Sequence, residues 1–213
     1  MGIGRWCGLT SSPTPSSFRY EQTLQNFVIA NHLLEHLEDP IGALKEWYRI
    51  LKPGGILFLA IPDKRRTFDR DRPRTSLVHL VEDHADGGKA SQLAHYEEWA
   101  RLVCNKSDPE AAGEARRLID TRYNIHFHVW IPEDVRDLIE YLGRRSLRWQ
   151  VVQYVGPGDD SDEFIYVLRK SHTLASLTRH YSAHGVSLLR RVPGRAKRSI
   201  QRRWKAVRAV VAR

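Results

Sequence analysis

His32-Leu33-Leu34-Glu35-His36 sets two imidazoles and a carboxylate within one short stretch, a combination suited to proton transfer or to metal binding. For proton transfer, His32 and His36 are the candidate bases, because imidazole titrates near neutrality. The same residues match H-x-x-E-H, the inverted zinc-peptidase pattern, in which two histidines on one helix face bind the ion and the glutamate activates water. The surroundings argue against a zinc hydrolase: a β-like run precedes the stretch and Asp39-Pro40 opens a new helix just after it, leaving no sustained helix. A hydrogen-bonded His36 that shapes its loop is the plainer alternative. Further along, His126 and His128 alternate along an extended run and so share one face, with Phe127 and Val129 on the other. An H-x-H pair alone lacks a third and fourth ligand, so no metal is expected and the pair is read as a polar rim at an acceptor pocket, or as structural. Lys64, Arg65 and Arg66 with Arg70, Arg72 and Arg74 suit an anionic group such as a sugar phosphate, since the guanidinium forks of the arginines match phosphate oxygens. The interspersed Asp69 and Asp71 favour a solvated, salt-bridged loop instead.

Regular elements must position these groups. Phe27-Val28-Ile29-Ala30 is a short apolar, partly β-branched run, consistent with a strand buried on both faces. Asp39-Pro40 reads as an N-cap with proline at the first helical position, and Ile41, Leu44, Tyr48 and Leu51 then form one apolar stripe. Lys52-Pro53-Gly54-Gly55 should end that helix, and Ile56 to Ile61 is a second buried strand stopped by Pro62. Strand, helix and strand at this spacing make a βαβ unit, so the two strands are expected to run parallel, with Val28 beside Leu57. In open α/β sheets ligands bind beyond the carboxyl ends of the strands. That rule selects Asn31 and His32 after the first strand, and Pro62, Asp63 and Lys64 after the second.

Residues 63–125 hold helical-looking segments near Leu77 to Asp83, Ala90 to Cys104 and Pro109 to Arg122, read as an insertion over the strand ends. Val135, Leu138, Ile139 and Leu142 line one face of a helix from Glu133 to Leu142. Strands over Leu147 to Val155 and Glu163 to Leu168 flank a Gly-Pro-Gly-Asp-Asp-Ser turn and are expected to pair as an antiparallel hairpin.

The stretch from Phe27 to Pro40, followed by Ala43-Leu44-Lys45-Glu46, Arg49-Ile50-Leu51-Lys52-Pro53-Gly54-Gly55 and the strand to Pro62, resembles the C-terminal half of the class I S-adenosylmethionine-dependent methyltransferases, of the type 11 kind. The resemblance implies an α/β fold with an incomplete Rossmann-like sheet, a terminal antiparallel hairpin, a helical insertion and a basic tail. It implies methyl transfer from S-adenosylmethionine to a small-molecule or saccharide acceptor. Asn31, His32 and Leu34 would then line the cofactor cleft, and Asp63, Lys64, Arg65, His126 and His128 would face the acceptor. The family's glycine-rich first turn and the acidic end of its second strand have no counterpart before Phe27, so a truncated start is expected, with activity reduced or lost to a non-enzymatic remnant. The organisation expected is a leader over 1–26, a partial methyltransferase domain over 27–170 and a basic tail over 171–213.

Composition bounds these readings. The chain has 213 residues, 41% of them hydrophobic, enough to bury a core. No window approaches the roughly 18 consecutive apolar residues of a membrane span. Two cysteines, Cys7 and Cys104, make no disulfide framework, which points to the cytoplasm. The net charge of +9 is local: eleven Lys and Arg and no acidic residue lie beyond Lys170, leaving 23 basic against 25 acidic side chains before it. In that tail Ile200, Trp204, Val207 and Val211 fall at helical spacing among arginines and lysines, which suits an anionic membrane surface, with nucleic acid ranked behind it.

Overall fold

In the computed structural model, residues 25–159 and 161–171 are described. The expected basic tail apart from Ser171, and the leader apart from Gln25 and Asn26, lie outside them. Among the described residues the chain runs β1 (Gln25–Asn31), α1 (Pro40–Ile50), β2 (Leu51–Pro62), α2 (Leu77–Asp86), α3 (Gln92–Leu102), α4 (Asp108–Asp120), α5 (Pro132–Arg144), β3 (Trp149–Val155) and β4 (Glu163–Lys170). Helix α1 starts where the sequence places its cap. Asp39 accepts a hydrogen bond from the Gly42 amide at 2.7 Å, and Pro40 fills the first turn. A Cβ at position 42 would come within 2.2 Å of the Asp39 carboxylate, so glycine is what lets the cap fold over.

The four strands form one sheet in the order β1-β2-β4-β3. β1 and β2 are parallel with Val28 opposite Leu57, and β4 is antiparallel to both β2 and β3. The α/β fold with a parallel pair and a terminal antiparallel hairpin is therefore the one the sequence implies. Leu57, Leu59 and Ile61 of β2 join Phe164, Tyr166 and Leu168 of β4 in the main core, packed with Ile41 and Leu44 of α1 and Val135, Leu138 and Ile139 of α5. The alternate residues Ile56, Ala60, Ile165 and Val167 form a smaller cluster, as the two-residue period of a strand requires.

Two expectations need correction. β1 is not buried on both faces: Phe27 is 52% and Ile29 41% exposed on one face, while Ala30 on the other joins the main core, and among the described residues β1 stands at the edge of the sheet. An apolar run alone does not distinguish an edge strand from a central one. Lys52-Pro53-Gly54-Gly55 ends the helix but does not separate it from the strand. β2 already begins at Leu51, with Gln25 opposite it, and the irregular register between Gln25 and Phe27 absorbs the difference.

Between β2 and α5, α3 and α4 build a second small core from Tyr96, Trp99, Ala115 and Leu118, closed by Ile125 and Phe127. The chain from 125 to 131 then crosses the carboxyl ends of β1 and β2. The Phe127 amide donates to the Glu35 carbonyl at 2.7 Å, the Lys64 amide donates to the Trp130 carbonyl at 3.0 Å, and Asp63 bridges Trp130 in parallel. No helix among the described residues is long and apolar enough to cross a membrane.

Candidate functional site

At the end of β1 the backbone turns sharply. His32 takes φ 47°, a left-handed conformation unusual for a residue with a side chain, while its amide still donates to the Ala60 carbonyl at 3.0 Å. Only a three-residue 3-10 turn, Leu34–His36, follows, so His32 and His36 do not share the sustained helix face that H-x-x-E-H zinc chemistry needs. Asn31, His32 and Leu33 are exposed at this strand end. Leu34 is wholly enclosed in the main core. The His32 ring pairs with Glu163 at 2.7 Å and lies 3.7 Å from Glu35.

The groups expected after β2 are engaged with one another. Asp63 is fully buried, and its two oxygens take the Arg65 amide at 3.0 Å and the Arg65 guanidinium at 2.9 and 2.5 Å. Lys64 is almost fully buried and donates to the Arg70 carbonyl at 2.6 Å. Arg65 keeps half of its side chain in solvent, at 53% exposure, so it is the member of this trio that can reach an incoming anion. The arginines separate in the same way: Arg66 and Arg70 are exposed, whereas Arg72 is 2% exposed and acts inside the protein.

His126 and His128 go to different neighbourhoods. His126 donates from Nδ1 to Asp69 at 2.6 Å, and Arg72 donates to the other Asp69 oxygen at 2.9 Å and to the His126 carbonyl at 2.8 Å. Burial pushes the Asp69 carboxyl up, but the hydrogen bonds and charges of His126 and Arg72 outweigh it and hold it below the usual carboxylate range. With Nδ1 committed, the Nε2 of His126 is left as the basic nitrogen. His36 donates from Nδ1 to the Ile125 carbonyl at 2.8 Å, and burial pushes its ring toward the neutral form. Its ring meets that of His126 edge to face at 4.7 Å. His128 is wholly buried and pushed down to about 3, by burial first and then by His95.

Glu35 completes the first of these neighbourhoods. One ligand atom each from Glu35, His36 and His126 fall within 4.8 Å of one another. Glu35 is 1% exposed, yet neither of its carboxylate oxygens has a hydrogen-bond partner. Burial raises its pKa above the ordinary carboxylate value, against the lowering influence of its own backbone amide and of His126. A buried carboxylate without a hydrogen-bond partner is a stability cost that a ligand hydroxyl would relieve. Outside the cluster, Phe68 is 55% exposed and its ring lies 5.0 Å from that of His126, an apolar plate beside the polar groups.

The charge on Glu35 has a measurable consequence. Because its folded pKa is raised, the unfolded chain ionises first as pH rises, and the folded chain loses relative stability from the ordinary value upward through the folded one. Glu35→Gln carries no such charge. The variant is expected to match the unaltered chain near pH ~4 and to melt higher at pH ~7. Thermal melts of both proteins at the two pH values check this, and a variant that melts lower at the higher pH contradicts it.

Of these residues the sequence singled out His36 and His126 and set Glu35 inside a motif read otherwise. The sequence offers Arg72 as an anion contact or, with Asp69, as part of a solvated, salt-bridged loop, and the structure instead buries both. The signal available was the Asp-x-x-Arg spacing, one helical turn apart, which suits an internal ion pair as well as a solvated one.

The profile of the methyltransferase domain family matches residues 10–154, which is more than half of the chain, so the chain belongs to that family. No curated protein matches it. Among solved structures, the [4+2]-cyclase SpnF is similar at 19% identity over 74% of this chain and 53% of that one, with a TM-score of 0.28. The chain thus spans about half the length of that cyclase.

Proposed function

We propose that this member of the methyltransferase domain family transfers the methyl group of S-adenosylmethionine to a hydroxyl of a small-molecule or saccharide acceptor. The observation that carries the reading is the joining of an Asp69-oriented His126 with the Glu35 carboxylate, whose oxygens have no hydrogen-bond partner, at the carboxyl ends of the parallel strands, where α/β sheets bind ligands. The residues present suit one wall of a donor site: Asn31 and His32 offer polar groups and Leu33 apolar surface, all exposed at the end of β1. When bound, the sulfonium supplies an electrophilic methyl and departs as a neutral thioether. The chain's own part falls on the acceptor side. His126 takes the hydroxyl proton at Nε2, and the Asp69 carboxylate behind it orients the ring and stabilises the imidazolium. Glu35 accepts a second hydrogen bond from the acceptor and fixes its orientation, which suits a reaction governed by positioning. Phe68 offers a face to the apolar side of a sugar ring, and Arg65, half exposed while it holds Asp63, presents positive charge to an anionic substituent. A cytoplasmic setting, with the basic tail against an anionic membrane surface, belongs to the same reading.

Calorimetric titration with S-adenosylhomocysteine tests the donor half. Saturable heat is expected in the micromolar range. No heat at high micromolar ligand overturns the reading in favour of a non-enzymatic remnant. The acceptor half is tested by transfer of a labelled methyl group from S-adenosylmethionine to a panel of hydroxylated saccharides.

A further inference from the structure

We infer that His79, Asp83, His95 and His128 form a four-ligand structural zinc site that fastens the helical insertion to the segment crossing the strand ends. The inference stands apart from the methyl-transfer reading, since it uses none of the same side chains. His79 and Asp83 lie one turn apart on α2, His95 is on α3 and His128 is in the crossing segment, so three separate stretches converge. The ligand atoms all fall within 4.8 Å of one another. His79 Nε2 is 3.0 Å from His95 Nε2 and 3.1 Å from Asp83 Oδ2, while His95 Nε2 and His128 Nε2 are 3.7 and 3.6 Å from that same oxygen. Bonds of about 2.0–2.1 Å from a tetrahedral zinc give ligand-to-ligand edges of roughly 3.3–3.4 Å, in the middle of these values.

The cluster is poorly explained without an ion. Asp83 is 3% exposed, and its Oδ2, toward which three imidazoles point, has no hydrogen-bond partner. The contact between His79 and His95 and the Glu38 carbonyl, 3.4 Å from His128 Nε2, give the three imidazole nitrogens partners but leave Asp83 Oδ2 with none, whereas a divalent cation satisfies all four atoms at once. The surroundings are those of a ligand set held from behind. Ser91 donates to the other Asp83 oxygen at 2.5 Å, which fixes the carboxylate, and the His128 ring stacks on Trp130 with 22° between the planes. Three imidazoles and one carboxylate in a tetrahedron favour zinc over cations that prefer oxygen octahedra. Four protein ligands leave no open position, so the ion is structural, and only His79, at 34% side-chain exposure, faces solvent. Its mechanical effect would reach the neighbouring cluster, because His128 is two residues from His126.

Elemental analysis of the full chain after dialysis tests the site. About one zinc per chain is expected, lost on chelation with a fall in melting temperature and regained with added zinc. Cobalt titrated into the stripped protein should give the intense visible bands of a four-coordinate ion. Ser91→Ala should weaken zinc binding about 10- to 100-fold, as loss of a group behind a ligand does. His79→Ala should lose stoichiometric zinc, and His36→Ala should retain it. Zinc absent even after supplementation, a weak six-coordinate cobalt spectrum, or zinc kept by His79→Ala and lost by His36→Ala overturns the assignment. The cobalt spectrum needs no variant, so the test survives a substitution that does not fold.

Discussion

Arg72→Ala is expected to destabilise the chain by about 3–5 kcal/mol, the range for removing one member of a buried ion pair. Arg72 joins three separate parts of the structure. It donates to Asp69 at 2.9 Å, to the His126 carbonyl at 2.8 Å and to Glu98 of α3 at 2.8 Å, and its guanidinium lies 5.6 Å from the Trp99 ring centre. Alanine in its place leaves the Asp69 carboxylate, 1% exposed, without its buried cation and with the His126 ring as its remaining close partner, and leaves the His126 carbonyl without its donor. Breaking a buried pair this way costs more than the pair itself contributes, because the remaining charge keeps its desolvation penalty. For a chain of this size each kcal/mol moves the melting temperature by roughly 2–4 °C, so a fall of about 6–20 °C is expected. Arg74 gives the comparison two positions away. Its partner is Asp134, but with 54% of its side chain exposed the pair should contribute about 0–1 kcal/mol. If the two alanine variants melt together, the buried arrangement around Asp69 is wrong.

That pair of arginines also shows where sequence reading stops. In Asp69-Arg70-Asp71-Arg72 the alternating charges look alike, and nothing local distinguishes Arg72, which is enclosed by α3 and the crossing segment, from Arg70, which is exposed. Burial here is decided by α3, more than twenty residues on, and by residues 126–127 beyond that. The strand-helix-strand unit was legible because its determinants are local: a cap at Asp39-Pro40, an apolar stripe, and two β-branched runs whose spacing dictates parallel pairing. The hairpin of β3 and β4 was legible for the same reason. The exposed face of β1 was not, since Phe27 and Ile29 read alike whether or not another element covers them. Nor was the burial of Asp63 and Lys64, because a strand-end position shows where a side chain starts but not that Arg65 and the Arg70 carbonyl take it up. His126 and His128 were read by a period-two rule that holds for strands. The segment carrying them forms only one bridge, at Trp130, and its two histidines enter separate clusters built by residues remote in the chain.

His126→Gln is expected to lower kcat for methyl transfer to a hydroxyl acceptor by about 10²–10⁴-fold, the usual share of a positioned acid or base. Glutamine is chosen because its amide can still donate to Asp69, so the buried carboxylate keeps a partner and the loss falls on the proton-accepting nitrogen. Heat of S-adenosylhomocysteine binding should be unchanged, since the donor wall proposed at Asn31, His32 and Leu33 is a different surface. The split matters. A purely structural His126 would weaken ligand binding, turnover and melting temperature together, whereas a base loses turnover alone. His36 offers a contrast at the same place: its Nδ1 is spent on the Ile125 carbonyl, and burial outweighs the support that this hydrogen bond gives a positive ring, whereas a carboxylate, Asp69, stands behind the His126 ring. Asparagine or glutamine at position 36 should therefore reduce turnover less than His126→Gln does. If His126→Gln keeps full turnover, the proton goes elsewhere, and Glu35 becomes the group to change, because its raised pKa and unpaired oxygens make it the other acceptor within reach of the same hydroxyl.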